Sequence, residues 1–146
     1  MYRIVIVILV LTALLGSEVF SQKILIGLSS EMNTMGYEQG FFTSISANNE
    51  FSVGYFYQVG LNKSEGKLIM NRELHGLLFS IPVIRGNRIS VSTMIKPTLI
   101  NKKFIKVIPA LRTSFKIARF FGVGFDVGWR LGRPSYAFSS IFNLSI

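Results

Sequence analysis

The chain has 146 residues, enough for one domain, carries a formal net charge of +9 and contains no cysteine. Without cysteine there can be no disulfide framework, no thiolate nucleophile, no Cys-bound metal and no acylated N-terminal Cys. Charged residues make up only 16% of a chain that is 49% apolar. An ordinary soluble domain carries roughly 25% charge, so part of this surface is expected to face something other than water.

The N-terminus has three parts. Met1-Tyr2-Arg3 is short and positive, Ile4 to Leu15 is apolar apart from Thr12, and Gly16-Ser17-Glu18 leads into Val19-Phe20-Ser21. This is a secretory-signal pattern with cleavage expected after Ser21, making residues 1–21 the signal and Gln22 the first mature residue. The apolar run falls short of the roughly 18 residues a spanning helix needs.

Beyond Gln22 the apolar residues repeat every second position, as in strands. Two weaker segments come first, around Ile24, Ile26 and Leu28 and around Phe41 and Ile45. Phe51, Val53, Tyr55, Tyr57, Val59 and Leu61 then alternate with Ser52, Gly54, Gln58 and Gly60. Leu77, Phe79, Ile81 and Val83 mark a fourth strand. In the fifth, Ile89, Val91, Ile95, Pro97 and Leu99 alternate with Arg88, Ser90, Ser92, Lys96 and Thr98. In the sixth, Ile105, Val107, Pro109, Leu111, Phe115 and Ile117 alternate with Lys106, Ala110, Arg112, Ser114 and Lys116. The clearest is the seventh, where Phe121, Val123, Phe125, Val127, Trp129 and Leu131 are separated by Gly122, Gly124, Asp126, Gly128, Arg130 and Gly132. The last sets Tyr136, Phe138, Phe142, Leu144 and Ile146 against Ser135, Ala137, Ser139, Asn143 and Ser145.

The predicted strands are 23–30, 37–46, 50–61, 73–84, 88–100, 104–117, 121–131 and 134–146. Most have the roughly 9–11 residues a tilted membrane strand needs. Their connections provide an internal test, because opposed residues of an antiparallel pair lie on one face. A two-residue turn at Gly132-Arg133 sets Trp129 opposite Tyr136, and three-residue turns at 47–49, 85–87, 101–103 and 118–120 keep odd positions opposite odd ones. Each of these lengths brings apolar faces together. Pro97 and Pro109 remove ladder donors inside strands, so a bulge or a missing hydrogen bond is expected at each.

The polar face is mostly Gly, Ser, Ala and Thr, which suits a narrow interior better than a water-washed surface. The other face is rich in aromatics, like a lipid-facing band with interfacial girdles, for which Tyr55, Tyr57, Trp129 and Tyr136 are the candidates. The predicted fold is therefore an all-β, eight-stranded antiparallel up-and-down transmembrane barrel over 22–146, preceded by a cleavable signal helix. A soluble periplasmic lipid-binding barrel, apolar side inward, is the alternative architecture.

With the terminal alternation Tyr136-x-Phe138-x-x-x-Phe142-x-Leu144-x-Ile146, the chain resembles the small eight-stranded outer-membrane barrels, the OmpX-like group among them. In that group the last strand usually ends in an aromatic residue, where this chain has Ile146. The resemblance implies a monomer in the outer membrane of a diderm bacterium, held by outer-membrane lipids. It also implies recognition of the final strand by the barrel-assembly machinery, and termini facing the periplasm. The external connections would be 31–36, 62–72, 101–103 and 132–133.

On the inward face the pattern collects Arg88, Lys96, Lys106, Arg112, Lys116 and Arg130, with Asp126 as the clear acid and Glu38 as a second. Buried charge needs partners. The bland reading is a hydrated lumen in which Asp126 bridges to Arg112 or Arg130, and the functional one is an anion-attracting interior or rim that meets lipid phosphates. Eight strands enclose too little space for free conduction. Nucleic-acid binding is disfavoured, since these cations lie behind an export signal and lack an aromatic platform. Lys63, Glu65, Lys67, Arg72 and Glu73 are read as a solvated loop.

The single histidine, His75, excludes a multi-His metal site, and no cofactor is expected. Some outer-membrane barrels are lipid-modifying hydrolases that use a His with a Ser and an acid. A regular strand puts Ser80 on the face opposite His75, and Glu73 about 7 Å along on the same face. The expected function is thus a non-enzymatic structural or interaction role, with a hydrolase at His75 as the alternative.

Overall fold

The computed structural model describes residues 22–34, 36–47, 51–64, 67–130 and 132–145. The expected signal peptide, its cleavage site and Ile146 lie outside these residues. Eight strands follow one another around a closed barrel. They are β1 (Gln22–Asn33), β2 (Gly36–Ala47), β3 (Phe51–Ser64), β4 (Lys67–Arg85), β5 (Ile89–Ile100), β6 (Phe104–Lys116), β7 (Phe121–Arg130) and β8 (Arg133–Ser145). Each pairs antiparallel with the next, and β1 pairs with β8 from Lys23↔Ser145 to Asn33↔Ser135. Closure leaves no free sheet edge, which hydrocarbon would not tolerate.

The apolar face points outward, which removes the lipid-binding alternative with its apolar side turned in. Ile105 is 75% exposed, Phe125 45%, Trp129 57% and Phe138 55%. The small and charged positions of the same strands point inward: β7 reads as alternating buried and exposed along Gly124-Phe125-Asp126-Val127-Gly128-Trp129-Arg130.

Except beside the β4–β5 turn, the register keeps the predicted parity, and it shifts some pairings. The connections at 101–103 and 118–120 pair Ile100 with Phe104 and Lys116 with Gly122, as the alternation predicts. Asn101 and Lys102 take positive φ (49° and 59°) to make the first of these turns. At the last hairpin Arg130 pairs with Arg133, so Trp129 faces Pro134 and Tyr136 faces Val127. The turn therefore lies one residue earlier than predicted, and Gly132, at φ +77°, supplies its left-handed position. The β2–β3 turn moves the other way, with Ala47 facing Phe51. The β4–β5 turn pairs Arg85 with Ser90, and a register shift between Pro82 and Ile84 restores Phe79↔Ile95 below it. That bulge follows Pro82, a proline the alternation did not single out.

Pro97 and Pro109 cause no bulge, since β5 and β6 pair without a shift through both. They coincide with interruptions on their other sides. The β4–β5 ladder skips from Gly76↔Thr98 to Phe79↔Ile95, and the β6–β7 ladder ends at Ala110↔Gly128.

Most of the predicted connections 31–36 and 62–72 is strand among the described residues. β1 runs to Asn33, β2 starts at Gly36, β3 runs to Ser64 and β4 starts at Lys67. Pairing continues there through residues such as Met32 and Leu68-Ile69-Met70, whose apolar positions do not continue the period-2 alternation. A second register shift, between Gly60 and Leu61, adds a residue at Asn71 and breaks the alternation as well.

Candidate functional site: a plugged, charged lumen

The interior is not lined by small residues alone. Phe42, Phe56, Leu74, Leu78, Met94 and Ile141 form one buried cluster inside the barrel. Room for it comes from small neighbours: Gly27 pairs with Phe42, and a Cβ at Gly27 would lie 2.3 Å from the Phe42 ring. Each such side chain contributes about 1.5–3 kcal/mol when buried. Phe42 directly faces Phe56. In the sequence both sit in aromatic runs, Phe41-Phe42 and Tyr55-Phe56-Tyr57, whose odd members face out. An apolar residue at a polar-parity position was the available signal.

Two charge clusters flank this plug. In the first, Arg112 donates through Nε to Asp126 Oδ1 at 2.7 Å and through Nη2 to Oδ2 at 2.8 Å. Lys96 Nζ lies 3.6 Å from the same carboxylate. Both cations also rest on the plug, Arg112 4.6 Å over the Phe42 ring and Lys96 6.0 Å over Phe56. Two cations thus share one acid, and the aromatic faces offset part of the excess.

The second cluster lies nearer the 101–103 end of the barrel. Arg130 Nη1 donates to Glu38 Oε2 at 2.5 Å and sits 3.7 Å from Glu31 Oε1. Arg72 Nη2 is 3.3 Å from Glu38 Oε1. Gln58 Nε2 donates to Ser29 Oγ at 3.2 Å and to Glu31 Oε2 at 3.4 Å. Here two acids meet two arginines. The predicted choice for Asp126 resolves to Arg112, while Arg130 takes Glu38 instead.

The other members of the predicted basic group separate. Lys106, half-buried, pairs with Thr98 on β5 and forms none of the ion pairs of the two clusters. Arg88 and Lys116 are exposed at the end of the barrel that holds the 86–88 and 117–120 turns. Arg72, read from the sequence as a loop residue, lies instead in β4, opposite Gly60, and points into the lumen. Glu31 was missed because β1 was predicted to end before it. Both errors have one origin, the loss of apolar alternation where the strands leave the lipid-facing band.

Of the girdle candidates, Trp129 and Tyr136 are exposed on the outer face at the 131–132 end. Tyr136 stacks on Phe125, with centroids 6.5 Å apart and planes at 21°. Tyr55 and Tyr57 are half-buried on middle rungs of β3, beside His75 and Phe41 respectively. His75 lies outward, 6.5 Å from the Tyr55 ring, whereas Ser80 lines the interior. Glu73 is held through its backbone, its N–H donating to Asn101 Oδ1 at 2.8 Å. Among the described residues no three His, Asp or Glu side chains group closely enough to hold a metal ion.

No protein-family model matches the chain, and no curated protein matches it in sequence. Solved structures do match. A de novo designed transmembrane β-barrel superposes with a TM-score of 0.70 at 6% identity, covering 84% of this chain and 95% of its own. The chain has the fold of a small eight-stranded transmembrane β-barrel. A second designed barrel, TMB2.3, gives a TM-score of 0.68 at 8% identity over 88% of this chain and 98% of its own. The outer-membrane protein Ail of Yersinia pestis, in a phospholipid bilayer nanodisc, gives 0.54 at 13% identity over 86% of this chain and the whole of its own. At these identities the shared feature is the barrel fold itself.

Proposed function

We propose that this chain is an exported, monomeric barrel of a diderm outer membrane, with a structural or interaction role and without catalytic activity. One observation carries the reading. The outer face is a lipid-facing apolar band, while the lumen is filled by a hydrophobic plug between two ion clusters. A solute path would have to cross buried Phe42, Phe56 and Met94, so the barrel is closed to conduction. The only histidine lies on the outer face of β4, opposite in direction to Ser80, which gives a His–Ser hydrolase no starting geometry. β8, which closes the barrel on β1, is the strand the assembly machinery would read.

The test combines fractionation and conductance. The protein should partition with outer membranes, migrate differently on gels before and after boiling, and give no stepwise current in planar bilayers. Recovery in the soluble periplasm, or unit conductances typical of open porins, would overturn the proposal.

A further inference from the structure

The lumen on the side of the plug nearest the chain termini opens into a cavity of about 490 Å³. Its wall is rich in inward serines, including Ser44, Ser80, Ser92 and Ser114, and Arg112 closes its deep end. Its mouth carries Arg85 and Arg88 from the β4–β5 turn and Lys116 and Arg119 from the β6–β7 connection. No acid is among the lining residues described, and none of these four mouth cations has an ion-pair partner among the described residues.

Two of the mouth cations are also held together. The Lys116 backbone N–H donates to the Arg88 carbonyl at 2.7 Å, continuing the ladder one step past Ile89↔Phe115. Two like charges opposed across a strand pair repel. Glu38 and Asp126 show how this protein treats positive charge deeper in the lumen, where each arginine has a carboxylate. Among the described residues this mouth holds no carboxylate to balance its four cations, which leaves them available to an external anion.

We infer that this vestibule binds a phosphate-bearing anion. The guanidinium, ammonium and hydroxyl donors suit a tetrahedral oxyanion with several acceptor oxygens. The volume exceeds that of a single ion and admits a headgroup or a small phosphate ester. Two sources carry this chemistry: an anionic phospholipid headgroup from the adjacent leaflet, and a soluble phosphate compound. The site lies outside the plug, so it does not depend on whether the barrel conducts.

The experiment uses the full barrel in nanodiscs and follows backbone amide shifts of Ser92 and Ser114. One arm titrates inorganic phosphate and pyrophosphate into phosphatidylcholine discs. The other replaces a graded fraction of the lipid with phosphatidylglycerol. Saturable shifts in the first arm identify a soluble ligand, and shifts in the second alone identify the lipid. The variant R88Q/K116Q/R119Q should weaken the effect at least ten-fold, and K102Q/K103Q, at the opposite end, should leave it unchanged. Preserved amide dispersion and heat-modifiable migration confirm that both variants are folded. Absence of saturable shifts in both arms, or equal losses in the two variants, would overturn the inference.

Discussion

Arg112 grips Asp126 with both ends of its guanidinium fork, at 2.7 and 2.8 Å, while its other side lies over the Phe42 ring at 4.6 Å. The pair sits directly across the β6–β7 ladder. One arginine thereby joins the ionic and aromatic parts of the lumen, so charge and packing are expected to respond together.

Asp126→Asn should be among the most damaging single changes. It strands Arg112 and Lys96, both less than a tenth exposed, without their shared carboxylate. Removing one partner of a buried ion pair costs roughly 3–5 kcal/mol. Urea unfolding from lipid vesicles should show this loss. Adding Lys96→Met should recover part of it, because neighbouring charges are not additive. An additive double variant would separate Lys96 from the cluster.

Phe42→Ala opens the plug at its aromatic pair with Phe56. A buried Phe→Ala change costs about 3–5 kcal/mol. Together with Met94→Ala it should also let ions through, measurable as current steps in planar bilayers where the parent gives none. A stable double variant that stays silent would show that the charge clusters alone close the lumen.

Gly27→Ala tests the packing from the other side. The new Cβ would lie 2.3 Å from the Phe42 ring and 2.7 Å from the Ser140 carbonyl oxygen. The ring can turn away but the backbone oxygen cannot, so a loss of about 1–3 kcal/mol is expected. Pairing the change with Phe42→Leu should recover only the part owed to the ring.

Phe125→Arg places a charge on the outer face near the middle of β7, where Phe125 is 45% exposed. In lipid a midplane arginine costs about 2–4 kcal/mol. Folding yield into vesicles should fall, while the same change at Phe120, exposed in the connection after β6, should cost less in lipid exposure. Equal effects at the two positions would argue against a lipid-facing middle band.

The strand count, the antiparallel order and the outward direction of the apolar face were legible in period-2 alternation, because a strand exposes alternate residues to two different media. Turns at 101–103 and 118–120 followed from the same parity. Alternation becomes silent where both faces meet water or protein. That is why β1, β3 and β4 run farther than predicted and why Arg72 was assigned to a loop.

The plug and the ion pairing were decided only by the closed barrel. Phe42 and Phe56 are neighbours because β2 and β3 pair, but Leu74, Met94 and Ile141 reach them across the lumen. Glu38 meets Arg130, 92 residues away, for the same reason. A local pattern records which side of the sheet a residue takes. Curvature and shear determine which inward residues share a level, and those are properties of all eight strands at once.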